Sequence, residues 1–158
     1  VAKTLSWNIL PKKLKKNLEL EWKNNSNIGL HIHCPDASTP KDGPSAGTAL
    51  TITIISRLTR IPIINTIGVT GEIDLSGNVL EIGGLENKLF GAKKAGIKKV
   101  LCPQNNKKDL EVIIKEHPNL INDNFEVICI NTIWEALEYC LEKNDFKFHN
   151  HIHNTNKY

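Results

Sequence analysis

The chain has 158 residues, 40% of them hydrophobic, and a formal net charge of +3. A single domain of that length buries about two-thirds of the surface its unfolded chain exposes, so no disulfide or metal staple is needed. No apolar run approaches the ~20 residues of a membrane span, no signal-peptide pattern opens the chain, and the charge is too small to argue for nucleic acid. The cluster Lys12, Lys13, Lys15 and Lys16 reads as a solvated face. With no Met and with Val at position 1, the sequence reads as a fragment of a longer protein. Cys34, Cys102, Cys129 and Cys140 form no C-x-x-C pair. Three of them lie in or at the end of apolar runs, where a free thiol behaves as a small hydrophobe, so reduced cysteines in a reducing compartment are expected.

In chain order, residues 1–19 are amphipathic and helical, interrupted near Pro11, and residues 22–27 form a polar loop. Asn27 to Cys34 alternates, with Leu30, Ile32 and Cys34 on one side and His31 and His33 on the other. That is the period of a strand with one buried face. Residues 35–44 are dense in turn formers and end in Gly43-Pro44. Ser45 to about Thr59 reads as a helix whose apolar residues, among them Leu50, Ile52, Ile54, Ile55 and Leu58, point nearly all round the axis, the pattern of a buried central helix. Ile63 to Thr70 reads as a strand, and Gly71 to Ile82 as two short strands joined at Ser76-Gly77-Asn78. Gly83-Gly84 precedes a helix over Leu85–Ala95, closed by Gly96. Strand 98–102, helix 107–116, strand 125–130 and helix 132–142 then alternate. The alternation predicts an α/β (α+β) fold, a sheet covered by helices. Residues 144–158 are polar, rich in Asn and His, and read as a frayed tail.

Two residues stand out chemically. Lys88 falls on the apolar stripe of its helix, with Leu85, Leu89, Ala92 and Ala95. It is either a lysine snorkelling from the stripe's edge or an amine withdrawn from water, where the ammonium form is disfavoured and the side chain can act as a base. Ser45 follows Gly43-Pro44 at a helix start, beside backbone N–H groups without intrahelical partners. It is either an ordinary first-turn serine or a nucleophile with an oxyanion site beside it. Ser38 to Lys41 fits S-x-x-K, but Pro40 would break the helical turn that motif needs. His31 and His33 could chelate a metal, yet no third ligand has convincing spacing, and His149, His151 and His153 lie in the polar tail. No metal site is predicted. No G-x-x-x-x-G-K-[ST] loop occurs, so ATP is not bound in that manner.

The segment HIHCPDASTPKDGPSAG, residues 31–47, and above all PKDGPSAG, residues 40–47, resembles the nucleophile region of the Lon protease family. VTGEIDLSGNVLEIGGLENKLFGAKKAGIKKVLCP, residues 69–103, resembles the rest of that family's active site. The resemblance covers roughly residues 28–143. It implies the Lon proteolytic fold over residues 1–143, with the start of the domain and an ATPase module lying outside this chain. It implies Ser45 as nucleophile, Lys88 as dyad base and Thr70, of the T-G-E segment, near the lysine. Beside that resemblance, Asp42 has two open readings: it shapes the entry to the Ser45 turn, or, if close to the amine, its carboxylate stabilises the ammonium form and opposes catalysis.

By the same resemblance, the activity is that of an ATP-dependent serine endopeptidase acting through an acyl-enzyme on misfolded and regulatory proteins. ATP and magnesium would be used by the ATPase module, with no cofactor in this chain. Subunits would assemble as a homo-oligomer, in six-membered rings. Neither nucleic acid nor a membrane is implied as a partner. The compartment would be the cytoplasm of a bacterium, or the mitochondrial matrix or another organelle of a eukaryote. Two rivals are a non-catalytic assembly domain of the same fold and a Ser-Lys peptidase of signal-peptidase type. Intact Ser45 and Lys88 weigh against the first, and the lack of a membrane segment against the second.

Overall fold

A computed structural model describes residues 1–25, 29–33, 43–143 and 147–148. In chain order the elements are α1 (Ala2–Ile9), α2 (Lys12–Asn24), α3 (Gly47–Thr59), β1 (Ile67–Val69), β2 (Glu72–Ile73), β3 (Val79–Leu80), α4 (Leu85–Lys94), β4 (Lys99–Pro103), a 3-10 turn (Gln104–Asn106), α5 (Lys107–Glu116), β5 (Glu126–Ile130) and α6 (Ile133–Cys140). The fold is α/β. A parallel sheet in the order β1-β4-β5 forms its centre, and β2 and β3 make a separate antiparallel ribbon.

The central strand explains the layering. Val100, Leu101 and Cys102 of β4 are all buried, so this strand is apolar on both faces, as the middle of a parallel sheet requires. Leu101 packs into a core built by α1, α3, α6 and the β2–β3 ribbon. Val100 and Cys102 point the other way, into a core built by α4 and α5. On β5, Ile128 and Ile130 join the first core, while Val127 and Cys129 join the second. The thiols Cys102 and Cys129, paired across the strands, approach to 3.8 Å. Burial first, and then the neighbouring Cys129 thiol, push the Cys102 thiol up to about 12, and burial alone does the same for Cys140. All three described cysteines are free, and Cys34 lies outside the described residues.

Two expectations fail here. Gly29 to His33 is not a strand, and Leu30 and Ile32 are 46% and 49% exposed rather than buried. Period-two alternation indicates which residues would share a face, but a strand also needs a neighbouring ladder, and no described strand pairs with this segment. Helix α3 is not buried all round. Ile52, Ile54 and Ile55 are buried, but Thr53 and Arg57 are exposed. That open side borders a groove of about 920 Å³ between α1, α2, residues 29–33 and α3.

The first strand is also shorter than its apolar run. A turn closed by Ile67 N–H on the Ile64 carbonyl, at 3.3 Å, leaves Ile63 only an isolated bridge to Leu141. The predicted tail lies outside the described residues except for Lys147 and Phe148, and Phe148 packs against the first core. No helix among the described residues is long and apolar enough to cross a membrane.

Candidate active site

Ser45 sits half-buried in the turn before α3, which begins two residues later than its sequence pattern suggests. Hydrogen bonds tie this turn to the chain following β1. Gly71 donates its N–H to the Ser45 carbonyl at 2.9 Å, and Thr48 donates its N–H to the Gly71 carbonyl at 3.0 Å. The buried Thr48 hydroxyl adds a third bond, to the same carbonyl, at 2.9 Å. Only glycine fits at 71, because a Cβ there would lie 2.8 Å from the Thr48 hydroxyl oxygen and still closer to Val79. The T-G-E segment therefore packs directly on the Ser45 turn.

Thr70, the residue before Gly71, is 8% exposed and donates its N–H to the Leu101 carbonyl of β4 at 3.0 Å. The sheet thus fixes Thr70, and Thr70 is chain-adjacent to the clasp on Ser45. Neither the Thr70 nor the Ser45 hydroxyl makes a hydrogen bond with a described residue. The N–H groups of Ser45 and Ala46 also have no acceptor among the described residues. Among the described residues the turn thus leaves a hydroxyl and two donors without partners at the positive end of a 13-residue helix.

Lys88 lies on α4 between the buried Leu85 and Leu89, and is itself half-buried. Side chains on a helix lean toward its N-terminus, and the Lys88 amine donates to the Gly83 carbonyl at 2.6 Å. Among the described residues no hydrogen bond joins Lys88 to Ser45 or to Thr70. The structure therefore brings the Ser45 and Thr70 backbones together and engages the Lys88 amine with its own turn.

Asp42, Ser38 and Lys41 lie outside the described residues, as do His149, His151 and His153. The rings of His31 and His33 stack with centroids 6.5 Å apart on the exposed segment. Among the described residues the group whose ligand atoms converge within 4.8 Å is Glu86, Glu116 and His117, on the outer face of α4 and α5. There His117 pairs with Glu86 at 2.7 Å and meets Phe90 in a T-shaped contact with ring centroids 5.0 Å apart.

Sequence reasoning missed Thr48 and Gly71 as the parts that seat the Ser45 turn. The glycine after Thr70 was the available signal, since a glycine between a strand and a ribbon marks close backbone approach.

The family model described as the Lon protease (S16) C-terminal proteolytic domain matches residues 6–143. The Lon protease of Rickettsia typhi (strain ATCC VR-144 / Wilmington) is 47% identical over 125 residues, covering 79% of this chain and 15% of that protein. The Lon protease of Brucella suis biovar 1 (strain 1330) is 46% identical over 112 residues, covering 71% of this chain and 13% of that protein. The chain spans about 15% of the length of such relatives.

Proposed function

This chain belongs to the family of Lon protease C-terminal proteolytic domains, and from that premise we propose that it hydrolyses peptide bonds with Ser45 as nucleophile and Lys88 as base. The observation that carries the reading is the Ser45 turn, with a hydroxyl and two N–H groups that have no partner among the described residues, at a helix start clasped by Gly71. Uncharged Lys88 takes the proton of Ser45 Oγ, and the oxygen attacks the substrate carbonyl. The Ser45 and Ala46 N–H groups hold the oxyanion. The tetrahedral intermediate expels the amine, which receives the proton from Lys88, and leaves an acyl-serine. Water, deprotonated by Lys88, then attacks the acyl carbon, and the Ser45 oxygen leaves with the proton returned by Lys88, releasing the acid. Thr70 orients the amine, as the third member of other triads does. To reach Ser45 the amine must leave the Gly83 carbonyl.

The whole protein, on this reading, is an ATP-dependent protease of misfolded and regulatory proteins. Its ATP and magnesium are used by a separate module, and its subunits form a closed ring of six. One observation favours a second reading, a non-catalytic assembly domain: the Lys88 amine is engaged by Gly83. The two separate experimentally. Ser45→Ala and Lys88→Ala should each abolish peptide hydrolysis by the full-length protein while the fold persists. Lys88→Arg should also be inactive, because guanidinium stays protonated. Near-wild-type cleavage by any of the three removes the dyad.

A further inference from the structure

We propose that Asn106 is a positioning residue for Lys88, acting through the turn Ile82–Gly84; this rests on the assignment of Lys88 as the base. Asn106 ends the 3-10 turn before α5 and is 0% exposed. An Asn just before a helix ordinarily caps that helix with its side chain. Here no such cap bond forms, and the amide reaches a segment 24 residues earlier in the chain. Its Oδ1 accepts the Ile82 N–H at 3.0 Å, and its Nδ2 donates to the Ile82 carbonyl at 2.8 Å. The second Nδ2 hydrogen goes to Asp109 Oδ2, also at 2.8 Å. The partners fix which end of the amide is oxygen, because a reversed amide would set a donor against the Ile82 N–H. One side chain thus satisfies both backbone groups of the buried Ile82, as a neighbouring strand would.

Between Ile82 and the first residue of α4 the chain has only Gly83 and Gly84. A Cβ at either would meet nothing within 4 Å, so neither packs against a neighbour. Their geometry is set from the two ends, by the Asn106 clamp on Ile82 and by Leu85, which is 3% exposed. Gly84 is held at φ 66°, a conformation glycine adopts without strain. Both carbonyls of this turn act on Lys88: Gly83 accepts its amine at 2.6 Å and Gly84 its backbone N–H at 3.3 Å. Releasing Ile82 would let the glycines relax and shift the start of α4, and with it the Lys88 backbone from which the amine, once it leaves Gly83, must reach Ser45. A displacement of about 1 Å at a reacting group costs up to roughly 100-fold in rate.

The test uses the full-length protein, with steady-state peptide hydrolysis and Ser45 acylation by a serine-directed reagent followed across pH. Asn106→Ala should lower kcat and acylation by roughly 10- to 100-fold. KM should stay within about twofold, and the acidic limb of the pH–rate profile should move. Leu137→Ala, a deletion in the other core, should leave kcat per folded molecule and the pH profile unchanged. Asn106→Asp keeps the acceptor for the Ile82 N–H but loses the donor to its carbonyl, and should repeat the loss if the alanine variant does not fold.

In the parent protein the Ile82 amide should resist hydrogen exchange although it lies outside every strand. Wild-type kcat and pH profile in either folded Asn106 variant, or rapid exchange at Ile82, overturns the inference. Lys88→Ala run in parallel separates the failures. If it is inactive while the Asn106 variants are normal, positioning alone is wrong; if it turns over, the base assignment falls and takes the inference with it.

Discussion

At the scale of single residues, the site is a set of close approaches around Ser45. Thr70 is the proposed site residue whose backbone the structure ties down most directly. Its backbone is fixed by Leu101 of β4, its neighbour Gly71 holds the Ser45 turn, and its hydroxyl has no described partner. Thr70→Val keeps the shape and deletes that hydroxyl. The expected result is a fall in kcat of at least about 10-fold, the low end of what an orienting group in a proton transfer contributes, with the melting temperature nearly unchanged. Turnover equal to that of the parent would remove Thr70 from the mechanism.

At the scale of elements, local signals are strong where the chain supplies its own partners. Helix α6 begins with a side-chain cap, in which the Thr132 hydroxyl accepts the Glu135 N–H at 3.4 Å, while Glu135 Oε2 accepts the N–H of the preceding Asn131 at 3.0 Å. Thr132→Ala should therefore cost about 1 kcal/mol, read as a lower denaturant midpoint at unchanged slope. An unchanged midpoint would mean the cap is idle. The same self-sufficiency made α4 and α5 legible: the closing Gly96 N–H bonds the Lys93 carbonyl at 3.1 Å, and the predicted helix over 107–116 is the helix found. The ribbon turning at Ser76 to Asn78 was legible too, because Asp74 accepts both the backbone and the side-chain N–H of Asn78. Gly29 to His33 was misread because a strand's identity depends on a partner its own residues do not specify. Within the site, the P-K-D-G-P-S-A-G and T-G-E segments singled out Ser45 and Thr70. The Asn106 clamp and the Gly83 contact were hidden, since the first joins residues 24 apart and the second depends on a rotamer.

At the scale of the whole molecule, the side of α4 opposite its buried Leu85 and Leu89 carries Phe90, 42% exposed and in a T-shaped contact with His117. A ring of identical subunits needs two different patches per subunit, arranged head to tail, and this face is our candidate for one of them. Phe90→Ser should weaken assembly in a sedimentation series, with activity per subunit falling at low concentration. Sedimentation identical to the parent's would exclude the contact. The central claim, that Ser45 is the nucleophile and Lys88 its base, is tested most directly by covalent labelling of the full-length protein with a serine-directed peptidase inhibitor, mapped by mass spectrometry. The account predicts one modified residue, Ser45, and loss of that modification in Lys88→Ala. Labelling at another residue, or undiminished labelling of Ser45 in Lys88→Ala, would contradict it.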